Sequence, residues 1–426
     1  MGDSSPARSR PRRRWWWGVA LLLVLAIAGW LWWQRTRPMV LVAHVPLGKG
    51  PTRTQITQAG LLVQGADTIT LIGWDGKERW KVRRVPVRLE SYSPWALSPD
   101  GRHLVVARTD GRRVILTQWC DGRPAGEVRI DTPARIFKLT ATNDGRSWLL
   151  KDVRHGCQLW VVTGTHIASG SYTPPVPTQP DIRYGYYTRL AADGSTVLLG
   201  RFGVDDFLAV DVRGDQVVLT PRYSLQGQFA FNCALLPGGW AQLQDGSLYS
   251  PTGCVHGPDT WHCQGMNTDT LPMLQESIPG QRVRVFDPQH STWEVPCAGM
   301  REIGNCSADG RRALVLDNGK PTRSNVIAYA FFHLPLVSKL YPASANTDHL
   351  VVYERPGRRL ARLPVQLKRA PARAIAALLT SYHLALNGQQ YQLPYQLWAL
   401  SPDGTRVGIL AENLSSKAKE WLVFGW

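Results

Sequence analysis

The densest run of chemically competent side chains is Cys254-Val-His-Gly-Pro-Asp-Thr-Trp-His-Cys263, with two Cys, two His and Asp259 within ten residues. Thiolate and imidazole are the ligand set of tetrahedral zinc. Cys254, His256, His262 and Cys263 therefore form one candidate donor set. The adjacency of His262 and Cys263 weighs against it, because two consecutive side chains are hard to aim at one ion. The competing reading is a loop closed by a disulfide. Eight residues separate Cys254 from Cys263, and eight separate Cys297 from Cys306. That span suits a bridge across a short hairpin. Cys120 and Cys157 make a third expected pair, which leaves Cys233 over. Disulfides are expected here rather than a metal, and no resident metal or cofactor is expected elsewhere.

Asp205-Asp206 could hold calcium, but no further Asp or Asn alternates with the pair as a calcium loop requires. A polar turn is expected there. The ten His are scattered, and no His-x-x-Glu-His pair occurs. No residue is assigned a catalytic role. One stretch stands out by charge: Arg355, Arg358, Arg359, Arg362, Lys368, Arg369 and Arg373 supply seven bases with no intervening acid. Arg83, Arg84 and Arg88 form a smaller basic run. Such a face could meet anionic lipid headgroups or an acidic partner; the alternative is solvated strand faces in an Arg-rich chain.

These residues need positioning elements, and the first is a membrane segment. Of the net charge of +17 over 426 residues, +6 falls within residues 1–37. Nucleic-acid binding is therefore not the reading of the high isoelectric point. Residues 15–33, WWWGVALLLVLAIAGWLWW, carry no charge. As a helix they span about 28 Å at 1.5 Å per residue, enough for the hydrocarbon core. Trp15, Trp16 and Trp17 at one end, and Trp30, Trp32 and Trp33 at the other, mark two headgroup interfaces. Arg10, Arg12, Arg13 and Arg14 precede the run, so the positive-inside bias places the N-terminus in the cytoplasm. Bulky residues where a cleavage site would lie predict an uncleaved anchor rather than a signal peptide.

The second element is a repeat. ALSPDGRHLVVAR (96–108), ATNDGRSWLLKD (141–152), LAADGSTVLLGRF (190–202), NCSADGRRALVLDN (305–318) and ALSPDGTRVGILAEN (399–413) share an Asp-Gly turn followed by an apolar strand. Asp-Gly suits a tight hairpin, because Gly tolerates positive φ and Asp can cap its own backbone. Asp100, Asp144, Asp193, Asp309 and Asp403 are accordingly expected as turn formers. TITLIGWDGKERWKVRR (68–84) is an earlier hairpin, Gly239 marks a degenerate copy, and residues 349–367 mark another. A period of roughly 44–49 residues with about four strands per unit is the signature of a β-propeller. With residues 250–280 read as an insertion, about seven four-stranded blades are expected, six to eight being compatible. The last unit is short, and VLVAHV (40–45) could supply its missing outer strand, leaving no open sheet edge.

The Ser-Pro-Asp-Gly copies resemble the WD40-like repeat of TolB-type propellers, which also occurs in the propeller half of prolyl oligopeptidase-like enzymes. The resemblance implies the fold; propellers host many activities. The Gly-His and Trp-Asp signatures of true WD40 repeats are absent, and no Gly-x-Ser-x-Gly elbow occurs.

The expected organisation is a basic cytoplasmic tail (1–14), a transmembrane helix (15–33), a linker or closing strand (34–51) and an all-β propeller (52–426) in a bacterial periplasm. The expected function is non-enzymatic: a platform on the inner membrane for another envelope protein. The second hypothesis is an enzyme, or a saccharide- or peptide-binding protein, using the propeller funnel.

Overall fold

The computed structural model describes residues 19–27, 37–48, 53–65, 67–83, 95–109, 112–132, 138–153, 156–174, 187–201, 204–226, 234–243, 247–256, 261–263, 272–277, 282–287, 292–296, 300–317, 347–368, 381–393 and 397–426. Residues 19–27 form a helix whose apolar side chains stand in the open, Leu22 at 68% exposure. No helix among the described residues is long and apolar enough to cross a membrane. The rest of the expected span lies outside the described residues, with Trp15, Trp16, Trp17, Trp30, Trp32 and Trp33, as does the basic tail with Arg10, Arg12, Arg13 and Arg14.

From Arg37 onward the described chain is strand and tight turn, apart from a 3-10 turn at Pro237–Gly239. Two strands open it, β1 (Arg37–Pro38) and β2 (Val40–Gly48). The first sheet is β3 (Arg53–Thr57), β4 (Gly60–Gln64), β5 (Thr68–Ile72) and β6 (Glu78–Arg83). The second is β7 (Trp95–Leu97), β8 (His103–Thr109), β9 (Val114–Cys120) and β10 (Arg123–Ile130). The third is β11 (Lys138–Ala141), β12 (Arg146–Val153), β13 (Gly156–Thr163) and β14 (His166–Tyr172). The fourth is β15 (Tyr187–Leu190), β16 (Thr196–Arg201), β17 (Val204–Arg213) and β18 (Gln216–Gln226). The fifth is β19 (Ala234–Leu236), β20 (Trp240–Gln242), β21 (Leu248–Ser250) and β22 (Gly253–His256). The sixth is β23 (Trp261–Cys263), β24 (Met273–Ser277), β25 (Val283–Phe286) and β26 (Trp293–Val295). The seventh is β27 (Met300–Cys306), β28 (Arg312–Asp317), β29 (Thr347–Glu354) and β30 (Arg358–Lys368). A hairpin, β31 (Ser381–Leu386) and β32 (Gln389–Leu393), precedes β33 (Trp398–Leu400), β34 (Arg406–Asn413) and β35 (Lys419–Gly425).

Within these sheets the strands pair antiparallel in chain order. The eighth sheet is completed by the N-terminal strand: β2 pairs antiparallel with β35, with Leu41 opposite Phe424 and Val45 opposite Trp421. The expected closing strand is thus present. The hairpin β31–β32 bridges β30 to β34. The described residues therefore hold eight four-stranded sheets, at the upper end of the expected range. Two assignments differ from the sequence reading. Residues 250–280 contain strands of the fifth and sixth sheets rather than an insertion. Residues 349–367 are the outer half of the seventh sheet rather than a separate unit.

Eight clusters of buried side chains each join consecutive sheets. The one containing Leu61, Ile72, Leu410, Trp421 and Val423 joins the eighth sheet to the first, so the ring closes. This explains why the repeat strands read as continuous apolar runs. Successive side chains of a strand point to opposite faces, and here both faces are covered. In β35, Leu422 and Phe424 pack toward the seventh sheet while Trp421 and Val423 pack toward the first. First strands of neighbouring sheets approach one another, β7 with β11 and β27 with β33, and so surround the axis. A closed ring of radial four-stranded sheets is a β-propeller.

Candidate functional site

The motif turns are structural in detail. Ser98 Oγ donates to Asp100 Oδ1 at 2.5 Å, and the Asp100 carboxylate accepts the Arg102 amide at 3.0 Å. Ser307, Asp309 and Arg311 repeat the pattern, as do Ser401, Asp403 and Thr405. Gly101 at φ 76° and Gly310 at φ 66° occupy the left-handed position, which favours glycine. Burial opposes ionisation of Asp309 and Asp403. Hydrogen bonds from Ser307 and Arg311, and from Ser401 and Thr405, outweigh it and hold both carboxyls below the usual range. The turns also bolt sheets together. Trp80 Nε1 donates to Gly101 O, and Trp293 Nε1 to Gly310 O, both at 2.8 Å. The motif acids are turn formers, as expected.

Asp205 and Asp206 lie in strand β17 rather than in a turn. Consecutive strand residues face opposite sides of a sheet. Asp206 is buried and accepts a hydrogen bond from Ser224 Oγ at 2.5 Å.

The cysteines depart from expectation. No disulfide joins two described side chains. Cys120 ends β9, its thiol 3.9 Å from Asp121 Oδ2, whereas Cys157 is fully buried in the core between the third and fourth sheets. The Cys120–Cys157 bridge is therefore not formed. Cys306 is a thiol donating to Pro272 O at 3.0 Å, and burial pushes its pKa up to about 12. Cys297 and Cys233 lie outside the described residues, as does the Cys263 side chain. Cys254 and Cys263 sit on different sheets: β22 is the fourth strand of the fifth sheet and β23 the first strand of the sixth. β22 and β23 do not pair with each other, so the two cysteines do not face one another across a hairpin.

Four bases of the basic stretch have described side chains. Arg355 lies in the turn between β29 and β30; Arg358, Arg359 and Arg362 lie on β30, the outermost strand of the seventh sheet, and all four are exposed. Lys368 ends β30 with its side chain outside the described residues, and Arg369 and Arg373 lie outside them too. Sequence reasoning missed Arg311 and Arg312 as neighbours of this stretch. The β27–β28 turn and the β29–β30 turn share one end of the sheet, and the Arg355 amide donates to Arg311 O at 2.8 Å. Arg311, Glu354, Arg355 and Pro356 line an open cleft of about 450 Å³ there.

Acids in this corner are already engaged. Glu354 pairs with Arg358 and, at 3.3 Å, with Arg312. Burial would raise its pKa, but those two guanidiniums lower it below the usual value. Buried Asp317 accepts from Tyr353 Oη at 2.7 Å and lies 3.6 Å from Arg359. Burial, with Arg362 and Arg359 nearby, holds His349 below the usual imidazole value despite Asp317. Arg362 has no acidic partner among the described residues.

Arg37 enters this corner unexpectedly. β1 pairs parallel with β30, Arg37 opposite Ala361 and Pro38 opposite Arg362, and the Met39 amide donates to Arg362 O at 3.1 Å. Met39 is buried in the core between the seventh and eighth sheets. No sequence signal distinguished Arg37 from a topology-setting charge. Among the described side chains of the axial strands β3, β7, β11, β15, β19, β27 and β33 are Arg53, Lys138 and Arg189 and no carboxylate.

The chain is thus an all-β propeller with a basic corner. No family model matches it, and no curated protein does. Among solved structures it is similar to the Cps50 (Swd1) β-propeller domain of Myceliophteria thermophila, at 14% identity and TM-score 0.38, covering 91% of this chain and 100% of that one. It is similar to the WD40 domain of SCAP from fission yeast at 10% identity and TM-score 0.43, covering 91% and 98%. A third is the dihydro-heme d1 dehydrogenase NirN, at 15% identity and TM-score 0.36, covering 73% and 66%. The fold assignment rests on sheet order and ring closure.

Proposed function

We propose that the protein is a single-pass, membrane-anchored propeller of the bacterial periplasm that serves as a platform for another envelope protein. The observation that carries this reading is the route of the chain after the apolar run. Residues 37–48 are strands of the ring itself, so residues 15–33 would be joined to a rigid body by three intervening residues. The uncharged 15–33 run and its two Trp clusters support a spanning anchor. Tethering beside a membrane raises the local concentration of the exposed disc toward membrane partners. Among the described side chains the axial strands bring three bases and no carboxylate, which favours a binding surface over paired-carboxylate chemistry. The Ser-Pro-Asp-Gly turns support a likeness to TolB-type propellers.

The test is topology and association in intact cells. The full chain with a C-terminal tag should resist alkaline carbonate extraction. The tag should be digested when protease is added to spheroplasts, and an envelope protein should co-purify in fixed ratio from detergent-solubilised membranes. A tag protected until the cells are lysed overturns the orientation. A chain recovered alone and monodisperse overturns the platform.

A further inference from the structure

We infer that the corner of the seventh sheet formed by Arg311, Arg355, Arg358 and Arg362 docks against anionic phospholipid headgroups and sets the tilt of the disc on the membrane. This rests on the anchor reading above. Two independent features converge on that corner. The first is direction. Because β1 pairs parallel with β30, the chain enters β1 from the end of β30 that carries Arg358 and Arg359. Four residue steps separate Trp33 from Arg37, a reach of at most about 14 Å. A helix ending at Trp33 therefore emerges no farther than that from the pinned Arg37. That places the membrane surface on the side of β30 from which the chain enters, next to Arg362, the residue opposite Pro38.

The second feature is local charge balance. Glu354 is held by Arg312 and Arg358, and Asp317 by Tyr353 and Arg359. Arg311, 3.9 Å from Asp309, and Arg355 line the open cleft, and Arg362 projects from the same edge with no acidic partner among the described residues. The cleft's volume of about 450 Å³ accommodates a phosphate group, and planar guanidinium matches phosphate oxygens well. Bases in a lipid surface potential contribute on the order of 1 kcal/mol each, about fivefold in binding per residue. An acidic protein would be attracted by the same charges, but only the membrane is brought to this corner by the covalent path of the chain.

The experiment uses the full chain in nanodiscs of phosphatidylcholine alone or with phosphatidylglycerol added, read by amide hydrogen exchange of residues 354–363. Expected is at least a fivefold slowing of exchange when phosphatidylglycerol is present. High salt should abolish it, as should the combined substitution Arg355→Ser, Arg358→Ser and Arg362→Ser. Arg359 is left in place because it holds Asp317, and unchanged exchange in the first and fourth sheets shows that the variant is folded. Equal exchange in both lipids overturns the inference. So does slowing that persists in the variant, or slowing that appears only when an envelope protein is added. If carbonate extracts the chain from membranes, the anchor reading falls by itself. Co-sedimentation with phosphatidylglycerol vesicles then decides the corner: loss of binding in the variant retains it, and equal binding overturns it.

Discussion

Ring closure makes a quantitative prediction at Trp421. Its side chain is fully buried, the largest such side chain among the described residues, and lies between the eighth sheet and the first. Its ring centroid lies 5.6 Å from that of Trp74, the two planes tilted by 55°. It also covers Gly408, where a Cβ would meet Trp421 Cη2 at 2.1 Å. Burying an indole removes about 200 Å² from water, worth about 5 kcal/mol at ~25 cal/mol per Å². Partial collapse of the site reduces the loss, so Trp421→Ala is expected to cost about 4 kcal/mol, within the ~3–5 kcal/mol typical of such truncations. Trp421→Phe is expected to cost about 1–2 kcal/mol, because it also removes an indole N–H that has no hydrogen-bond partner among the described residues. The assay is denaturant unfolding of the detergent-solubilised chain, with hydrogen exchange resolved by sheet. In Trp421→Ala, amides of β4, β5, β34 and β35 should lose protection before those of β16 and β17. A cost below about 1 kcal/mol, or protection lost equally in every sheet, refutes closure through this contact.

Two further outcomes follow from the turns and the thiols. The folded pKa values of Asp144, Asp309 and Asp403 lie below the ordinary 3.8, so their contribution is present above that value and is lost as pH falls through the folded values. Asp403→Asn should flatten the acid limb of stability against pH, and Asp403→Ala should cost about 2 kcal/mol by losing its bonds to Ser401 and Thr405. An unchanged acid limb in Asp403→Asn counts against that role. Cys306, with its pKa pushed up to about 12, should resist alkylation in the folded protein and react on unfolding. A mass spectrum showing it already bridged to another cysteine would contradict its assignment as a thiol.

The fold was largely legible because its period is written in the turns. Asp-Gly recurs where a hairpin needs positive φ, and apolar runs follow where both faces of a sheet are covered. The closing strand was legible for the same reason: VLVAHV lacks a partner until it meets EWLVFGW. The count was not. The sixth sheet lacks an Asp-Gly turn between its first two strands, so β23 and β24 gave no periodic mark. In the seventh sheet 29 residues separate β28 from β29, which made one sheet read as two units. The disulfides failed because spacing along the chain says nothing about which edge of a sheet each cysteine reaches. The basic stretch was visible as composition, but Arg311 and Arg37 join it only through strand pairing across 44 and more than 300 residues.

The central claim is that residues 37–48, which follow the apolar run, are part of the ring. It is tested most directly by comparing two shortened chains, one beginning at residue 37 and one at residue 50. The first should unfold with the stability of the full chain. The second, with β35 left as an open edge and Trp421 uncovered on one side, should be destabilised by several kcal/mol or associate through that edge. Equal stability and a monomeric state for both chains would contradict the account.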